Sequence, residues 1–279
     1  MTEAWEQWED PRRVLARHGE RPSKRFSQNF LVTESVVERI AVAVAPTAGE
    51  RVIEIGPGAG TLTAALLRRG AVVEAIEKDP RMRAILTDEL AASGRFSLVA
   101  EDATAMDVAE LAGGTPAVLV GNLPYAITGI IFRRLVEGFA SVDRAVFMTQ
   151  REVRDRILAE PGTKAYGPLS VFVGVAFEAE KILDVGPGAF FPPPKVRSAV
   201  FRLRPRAEPL IDPNDATFTT TVRAAFGQRR KTLRNALRSV AGGDQAMADL
   251  GIDSRRRGET LALEEIVALA RRIAQIESA

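Results

Sequence analysis

Apolar and polar positions change their period several times along the chain, and these changes predict a series of elements. Residues 33–45 begin with a threonine that can cap a helix and continue with apolar side chains at helical spacing. Short apolar runs rich in β-branched residues follow, separated by segments of helical length. These strand-like runs are 51–55, 71–76, 96–100, 117–121 and 144–149. Strands that alternate with helices predict a doubly wound, mostly parallel α/β sheet.

The pattern changes after residue 170. Residues 171–185 and 198–205 form two longer β-type runs without a clear helix between them, which predicts an antiparallel pair that completes the sheet. A stretch rich in proline and charge, 204–215, is typical of a linker, and the segments beyond it have a helical period. We therefore predict a catalytic domain over 1–205, whose first 32 residues form an extension and a lid, and a helical domain over 206–279.

The composition narrows the possible chemistry. The chain has 279 residues, 46% of them hydrophobic, and a net charge of +2, so a sizeable core is expected and no strong overall field points to a polyanion. It has no cysteine, which excludes disulfides, zinc–thiolate sites and thiol nucleophiles. Its single histidine, His18, cannot build a histidine-rich metal centre, and we expect it to face solvent. We therefore predict catalysis without a metal.

The start of the chain bears on location. The first ten residues are acidic and lack the apolar region of a secretory signal, and the longest apolar run is too short to span a bilayer. These features predict a cytoplasmic protein without a membrane partner.

Polar residues and glycines follow the predicted strands where a ligand would bind. Open α/β sheets bind ligands beyond the carboxyl ends of their strands. Gly56, Gly58 and Gly60 follow the first strand, and Glu77 follows the second about twenty residues later, where an acid can accept hydrogen bonds from ribose hydroxyls. Asp102 follows the third strand and could meet an adenine amino group. Each acid alone could merely stabilise a helix N-terminus, and the glycines alone could form an ordinary turn, but together they favour an adenosine pocket.

The fourth predicted strand ends in Asn122, Leu123, Pro124 and Tyr125. Asparagine and proline are common in turns, so these four residues alone do not require a catalytic reading. The exocyclic amine of adenine is a poor nucleophile because its lone pair is delocalised into the ring. A catalyst gains by hydrogen-bonding both amine protons, and the Asn122 side chain and a main-chain carbonyl of the Leu123–Pro124 turn are suitable acceptors. Tyr125 could stack on an extruded base.

The chain resembles a known family at eight motifs. They are "KRFSQNFL", "EIGPGAG", "AIEKD", "EDA", "GNLPY", "KAYGPLS", "FFPPPKVRSAVFRL" and "FGQRRKTLRN". Together they are similar to the ribosomal RNA adenine dimethyltransferases, specifically the small-subunit, KsgA/RsmA-like branch. The resemblance implies a Rossmann-like class I methyltransferase with a seven-stranded sheet and a small all-α C-terminal domain. It also implies S-adenosylmethionine as donor and dimethylation at N6 of two adjacent adenosines near the 3′ end of small-subunit ribosomal RNA, without a metal or a covalent intermediate.

The resemblance also assigns residues to the donor and target sites. The expected cofactor-binding residues are Gln28, Asn29, Leu31, Gly56, Gly58, Glu77, Lys78, Asp102, Ala103 and Asn122. The expected catalytic residues are Asn122 to Tyr125 together with Phe190, which would sandwich the target base against Tyr125 or, alternatively, belong to the core. The chain departs from the family at Ser27, where glycine is common, and in its first twenty residues, which have no motif counterpart.

Basic residues form three clusters that could bind RNA. They are Lys24 and Arg25; Lys195 and Arg197; and Arg229, Arg230, Lys231, Arg234 and Arg238. Helical spacing predicts that Arg230, Arg234 and Arg238 share one helix face suited to phosphates, although solvated faces commonly carry such charges. The expected partner is small-subunit ribosomal RNA in an immature 30S subunit, bound by a monomer.

Three other functions are consistent with parts of the pattern. A related methyltransferase could act on large-subunit RNA, since it would share the motifs up to "NLPY". A ribosome-assembly or transcription factor could keep the fold without turnover, although the intact acids and "NLPY" argue against lost catalysis. A nicotinamide oxidoreductase is disfavoured, because the spacing of the third glycine does not match the dinucleotide fingerprint.

Overall fold

The computed structural model describes residues 4–278, which divide into two units. The first comprises the residues up to 154 together with 180–204, and the second comprises 155–179 together with the residues from 205 onward. The structure thus differs from the predicted contiguous division at residue 205, because residues 155–179 group with the helical part of the chain. Within 4–278 no helix combines the length and the apolar character needed to cross a bilayer.

Nine strands of the described residues form a large and a small sheet. They are β1 (Phe30–Leu31), β2 (Arg51–Ile55), β3 (Val72–Ile76), β4 (Phe96–Val99), β5 (Ala117–Asn122), β6 (Val142–Gln150), β7 (Phe177–Val185), β8 (Phe190–Phe191) and β9 (Ser198–Pro205). The large sheet has seven strands in the order β4-β3-β2-β5-β6-β9-β7. The strands from β2 to β6 pair in parallel, and β9 is antiparallel to β6. The predicted α/β class and mostly parallel sheet are confirmed.

Twelve α-helices connect the strands or follow them. They are α1 (Pro11–Arg17), α2 (Glu34–Val44), α3 (Thr61–Arg68), α4 (Pro80–Leu90), α5 (Val108–Ala112), α6 (Thr128–Glu137), α7 (Arg151–Ile157), α8 (Pro168–Ala176), α9 (Ala216–Gly227), α10 (Leu233–Ala236), α11 (Gly243–Asp249) and α12 (Leu263–Glu277). This count refers to residues 4–278.

The strand order reverses beside β2, and this reversal positions the ligand end of the sheet. From β2 the chain moves outward through β3 to β4, and it then returns to β5 on the other side of β2. The loops after β2 and β5 diverge at this switch point, which leaves a crevice. The strands beneath the crevice are apolar on both faces, with Val52, Ile53, Leu119 and Val120 at 0% exposure. Burial of this apolar surface stabilises the platform from which the loops extend.

The β-type run predicted over 171–185 is partly wrong. Its first residues belong to helix α8, and β7 begins only at Phe177. Pro168 occupies the first turn of α8, and the Ser170 hydroxyl accepts a hydrogen bond from the Gly167 N–H at 3.1 Å. A short helix that is apolar on all sides cannot be distinguished from a buried strand by periodicity alone, and this helix is buried in the second unit's core.

The second unit has its own helical core. Phe218 and Val222 of α9 pack with Ile266 and Leu269 of α12, and these four side chains are fully buried. The helical period predicted beyond the linker does not give one continuous helix, since α9 ends at Gly227 and α10 begins at Leu233. The N–H groups at the start of α10 are satisfied by another segment, because Leu233 N–H donates to the Arg256 carbonyl at 2.7 Å. Tertiary contacts thus override the continuous helical period.

The segment that precedes the first motif packs against the first unit. Val14 and Leu15 of α1 form a buried cluster with Phe30, Ala59 and side chains of α4. The His18 Nε2 atom lies 2.7 Å from Glu89 Oε1, and Arg17 pairs with the same carboxylate at 2.7 Å. The expectation that His18 faces solvent is therefore wrong: its side chain is 18% exposed and contacts the Glu89 carboxylate.

Candidate active site

A cavity of about 290 Å³ opens at the carboxyl ends of β2, β3 and β5. The sequence-predicted residues that line it are Gln28, Asn29, Leu31, Gly56, Gly58, Glu77, Lys78, Asp102, Ala103, Asn122, Leu123, Pro124 and Tyr125. The structure therefore brings all the expected cofactor residues and the whole Asn122–Tyr125 turn to one cavity.

The glycine loop forms one wall of the cavity and needs its glycines. Gly56 and Gly58 have φ angles of +67° and +59°, in the left-handed region that L side chains rarely adopt. A Cβ atom on Gly58 would lie 2.9 Å from the Phe30 ring. A Cβ atom on Gly56 would lie 3.8 Å from Pro124 Cδ, so the loop runs directly beside the turn after β5. The glycine loop and the Asn122–Tyr125 turn are thus neighbours.

Glu77 at the end of β3 is nearly buried and is held by main-chain donors. Its Oε1 accepts from the Asp79 N–H at 2.8 Å, and its Oε2 accepts from the Gly58 N–H at 3.3 Å. Burial raises the pKa of Glu77, and these N–H donors oppose the rise by stabilising the carboxylate. The arrangement fixes both oxygens at the wall of the cavity, where each keeps further acceptor capacity.

Asp102, after the neighbouring strand β4, is ionised and held by several donors. Lys78 Nζ lies 2.6 Å from its Oδ2, and the Thr104 N–H and hydroxyl donate to its Oδ1 at 3.0 and 2.8 Å. The Lys78 hydrogen bond and these donors lower the pKa of Asp102 to about 2. Ala103, next in the chain, is buried in the same wall.

The Asn122 side chain is oriented by a distant part of the chain. Its Nδ2 donates to the main-chain carbonyl of Asn29 at 3.0 Å, a contact across 93 residues. Because the amide nitrogen is engaged there, the Oδ1 atom is the acceptor that Asn122 offers to a ligand. The geometry suits a bound amine that must donate a proton.

The other residues of the turn offer main-chain groups and the Tyr125 ring. The Leu123 N–H donates to the Met148 carbonyl at 3.0 Å, and the Pro124 carbonyl accepts from the Ile127 N–H and from the Thr128 hydroxyl. Since the Pro124 carbonyl is occupied, the Leu123 carbonyl is the better candidate acceptor in this turn. The Tyr125 hydroxyl lies 2.8 Å from Ser198 Oγ, and burial raises the pKa of this phenol. The phenol therefore stays neutral, and its hydroxyl tethers the ring to Ser198.

Comparison with known proteins places this geometry in a family. The model of the ribosomal RNA adenine dimethylase family matches residues 19–275. The chain belongs to the ribosomal RNA adenine dimethylase family. It is 45% identical to the ribosomal RNA small subunit methyltransferase A of Anaeromyxobacter sp. over 94% of this chain and 96% of that protein. Its identity with the protein of that name from Methylobacterium radiotolerans is 47%, over 94% of this chain and 91% of the relative.

Solved structures agree with the fold of this family. A dimethyladenosine transferase from Plasmodium falciparum superposes with a TM-score of 0.77 at 22% identity, covering 89% of this chain and 98% of that one. The 23S rRNA methyltransferase ErmE superposes with a TM-score of 0.68 at 28% identity, covering 88% of this chain and all of its own. The first unit is therefore a Rossmann-like methyltransferase fold, and membership of the dimethylase family makes the chain an enzyme.

Phe190 lies on a short antiparallel ribbon and packs into the core of the first unit. The register of β1 and β8 pairs Leu31 with Phe190 and Phe30 with Phe191. Leu31 and Phe190 share one face of this ribbon and join the core cluster, and Phe190 is 4% exposed and absent from the cavity wall. In this structure Phe190 is thus a buried residue of the core, as the alternative has it, and the sandwich of a base between Phe190 and Tyr125 stays a prediction. Phe191, on the other face, is 38% exposed.

Glu54 and Phe26 are among the cavity residues of this dimethylase that the sequence-based prediction did not assign to the site. Glu54 lines the cavity at 1% exposure, and burial raises its pKa to about 7 although the Thr63 hydroxyl donates to it at 2.6 Å. An acid inside an otherwise apolar strand was the signal that could have revealed it. Phe26 also lines the cavity, beneath the Arg25 guanidinium at 5.6 Å from the ring centroid. Its position inside the "KRFSQNFL" motif was the available signal.

The basic residues are exposed, but not as one stripe. Arg230 precedes α10, Arg234 lies within it and Arg238 follows it, so the prediction of one shared helix face is wrong. Arg229 is committed to Glu259 at 3.0 Å and to the Lys164 carbonyl at 2.8 Å. Within residues 4–278 the other exposed cations of the three clusters do not pair with an acid as Arg229 does. They are Lys24, Arg25, Lys195, Arg197, Arg230, Lys231, Arg234 and Arg238.

Proposed function

We propose that this dimethylase transfers methyl groups from S-adenosylmethionine to N6 of two adjacent adenosines near the 3′ end of small-subunit ribosomal RNA, during ribosome biogenesis. The observation that carries the proposal is the Asn122 amide, whose Nδ2 is held by Asn29 while its Oδ1 is left for a donor in a cavity shared with the glycine loop. The name and the extensive identity of the small-subunit relatives support this RNA over the large-subunit alternative.

The residues of the cavity fit an adenosyl donor. Gly56 and Gly58 provide a wall without Cβ atoms, which allows close approach of a ligand to the main chain. Glu77 is fixed at the end of β3, where a carboxylate accepts from ribose hydroxyls, and Asp102 is ionised and can accept from an adenine amino group. S-adenosylmethionine, when bound, supplies a methyl group on a sulfonium. No metal is needed for this set of contacts.

The chain's own residues would activate the target amine by hydrogen bonding. Asn122 Oδ1 and the Leu123 carbonyl each accept one amine proton, which localises the nitrogen lone pair and directs it away from the ring plane. As the methyl–sulfur bond of the donor breaks and the methyl–nitrogen bond forms, the positive charge would pass from sulfur to nitrogen and leave a neutral thioether. The same two oxygens would stabilise the charge on nitrogen until a proton is released to water. Preorganised polar groups of this kind contribute most when charge develops in the transition state.

Tyr125 would supply the face on which the extruded base stacks. Its hydroxyl is tethered to Ser198, so the ring needs little further ordering when the base arrives. Stacking of a base on an aromatic ring stabilises binding by roughly 1–3 kcal/mol. Phe190 would contact the opposite face of the base only if its ring left the core, in which it is packed here.

Phosphate contacts would come from exposed cations in each unit. Lys24, Arg25, Lys195 and Arg197 belong to the first unit, and the second unit contributes from "QRRKTLRNALR". We propose that Arg230, Lys231, Arg234 and Arg238 contact RNA, with a smaller role for Arg229 because Glu259 neutralises it. Such contacts position the RNA, and the shape of its surroundings supplies selectivity. We further propose that the protein acts as a monomer on immature 30S subunits in the cytoplasm, since the residues of one chain suffice to line the cavity.

A labelling assay tests the proposal. Small subunits that lack the modification are incubated with methyl-labelled S-adenosylmethionine and the wild-type chain, and the labelled nucleotides are mapped. We expect N6,N6-dimethyladenosine at two adjacent positions, with large subunits unlabelled. The Asn122→Ala variant serves as the matched control and should label weakly. Label on large-subunit RNA, or on a position other than adenine N6, would refute the proposal.

A further inference from the structure

A buried aspartate outside the predicted site connects several parts of the cavity wall. Asp79 is 0% exposed and follows Glu77 by two residues. Its Oδ2 accepts from Gln28 Nε2 at 2.9 Å, and its main-chain N–H donates to Glu77 Oε1 at 2.8 Å. One residue thus holds both a cofactor-site carboxylate and the segment 24–31, which we call the lid and of which residues 25–31 line the cavity.

Gln28 holds the lid with both polar ends of its side chain. Its Nε2 donates to Asp79, and its Oε1 accepts from the Ser23 N–H at 2.8 Å. Both polar ends of this side chain are therefore engaged within the protein. These two hydrogen bonds tether the lid, and the amide keeps one N–H and one lone pair for a cofactor, so the predicted contact stays a prediction.

The tether continues outward to the segment that has no motif counterpart. Arg81 Nη2 lies 2.6 Å from Asp79 Oδ2, and Arg81 Nη1 lies 3.2 Å from Glu20 Oε2. The Arg81 N–H also donates to Asp79 Oδ1, which caps α4. The negative charge of Asp79 is thus balanced by Arg81, while its carboxylate also accepts a hydrogen bond from Gln28 of the lid.

The lid carries the group that orients Asn122. Asn29 follows Gln28 directly, and its carbonyl accepts from Asn122 Nδ2 at 3.0 Å. A shift of the lid by an ångström or two would break that hydrogen bond and free the amide to rotate. The position of the lid therefore decides which atom of Asn122 faces the cavity.

We propose that Asp79 is a positioning residue that latches the lid through Gln28 and thereby orients Asn122 and completes the cofactor pocket. Its effect on methyl transfer rests on the proposed function, whereas the latch itself does not. The competing interpretation is that Asp79 only caps α4 and stabilises the fold. The two interpretations differ in what a reversal of donor and acceptor should do.

Reversal uses two substitutions. Gln28→Glu keeps an acceptor for Ser23 and sets a second carboxylate against Asp79, so the lid should open. Asp79→Asn in the same chain supplies an amide that can donate to the new carboxylate, while its own oxygen still accepts from the Arg81 N–H. The new carboxylate at position 28 would also accept from Arg81 Nη2, which loses Asp79 Oδ2 as its acceptor. The matched control is Gln245→Glu, which alters the Gln245–Asp249 hydrogen bond of 2.5 Å on α11 in the second unit.

The first measurement needs no cofactor. Lys24 and Arg25 are exposed trypsin sites on the lid, and mass spectrometry measures the rate of cleavage after each in the full-length chain. Hydrogen bonds to charged groups change an equilibrium by about tenfold or more, and cleavage follows the open population when closing is fast. We expect Gln28→Glu to accelerate cleavage about tenfold, the double variant to return toward the wild-type rate, and Gln245→Glu to leave it unchanged.

The second measurement follows the consequence for the site. Calorimetry with S-adenosylhomocysteine should give an affinity about tenfold weaker for Gln28→Glu and a recovered affinity for the double variant. The melting temperatures of the variants should not follow these differences in affinity. Unaltered cleavage in Gln28→Glu, or a double variant at least as open as the single one, overturns the latch. Altered cleavage with unaltered affinity overturns its role in the cofactor pocket. A wild-type chain that bound no S-adenosylhomocysteine would instead count against the proposed function, while the cleavage rates still decide the latch.

Discussion

The Glu54→Gln substitution should remove a large part of the pH dependence of stability of the first unit. Glu54 lies at 1% exposure on β2, and the Thr63 hydroxyl donates a hydrogen bond to its carboxylate. Folding moves this carboxyl from water into an apolar surrounding next to Glu77, which also disfavours its charge. Glutamine has the same shape, keeps an oxygen for Thr63 and cannot ionise.

The magnitude follows from the pKa. Burial raises the pKa of Glu54 from 4.5 to about 7, and a difference of one pH unit between the folded and unfolded pKa corresponds to about 1.4 kcal/mol. The folded state therefore binds the proton more tightly than the unfolded state. The resulting stabilisation of about 3 kcal/mol is fully present below pH 4.5 and is lost as the pH rises through about 7. Glu77, whose pKa is also raised, contributes in the same direction.

Urea unfolding at pH 5, 6, 7 and 8 measures this loss. The two tryptophans of the chain are Trp5 and Trp8, and both pack against the core of the first unit, so their fluorescence reports on that unit. The wild-type free energy of unfolding should fall by about 2.5 kcal/mol relative to Glu54→Gln between pH 5 and pH 8. The control is Glu110→Gln, which changes an exposed glutamate on α5.

A difference between wild type and Glu54→Gln that stays constant within about 0.5 kcal/mol across this range would refute the reasoning. It would mean that Glu54 does not titrate near neutral pH, and hence that water or a cation reaches its carboxyl. A slope shared by Glu110→Gln and the wild type is expected, since neither changes the buried group.

Four further outcomes follow from the site. Asn122→Ala should lower methyl transfer about 10²-fold or more while S-adenosylhomocysteine still binds measurably in calorimetry, because it removes a preorganised acceptor. Tyr125→Leu should weaken RNA binding about 5- to 150-fold in a filter assay, whereas Tyr125→Phe keeps the ring and should lose far less. Gly58→Ala should weaken S-adenosylhomocysteine binding, since its Cβ would meet the Phe30 ring at 2.9 Å and its φ is +59°. Phe190→Ala should cost about 3–5 kcal/mol in urea unfolding, and Phe191→Ala under about 1 kcal/mol.

Each of these outcomes has a result that would contradict it. Wild-type turnover by Asn122→Ala would remove the amide from the mechanism. Equal RNA affinities for the two Tyr125 variants would show that the ring does not stack. Wild-type affinity for S-adenosylhomocysteine in Gly58→Ala would show that the glycine loop tolerates a Cβ atom. Unchanged stability in Phe190→Ala, combined with impaired turnover, would return that residue from the core to the target site.

Strand positions could be read from the sequence because they depend on local patterns. The runs at 51–55 and 198–205 coincide with β2 and β9, since buried strands of β-branched residues are bounded by turn signals. The same reasoning failed for 171–176, where an apolar run fits a buried helix equally well. It also failed for the interval between α9 and α10, where carbonyls of residues 254 and 256 take the N–H groups of α10.

The roles of aromatic neighbours depended on pairing that no local pattern reveals. Phe190 and Phe191 are identical in type and adjacent, so composition cannot distinguish them. The register that sets Phe190 opposite Leu31 sends one ring to the core and leaves the other exposed. A shift of one residue would exchange them, because side chains alternate along a strand.

By itself, the sequence determined the alternating α/β order and the chemistry available at the strand ends: the glycines, Glu77, Asp102 and the Asn122–Tyr125 turn. Only the tertiary structure decided how those groups are aimed. The Asn122 amide is turned by a carbonyl 93 residues earlier, and the lid that carries this carbonyl is held by a buried Asp79. The physical reason is that residue type limits which hydrogen bonds a side chain can make, while direction and burial come from partners that folding brings from elsewhere in the chain.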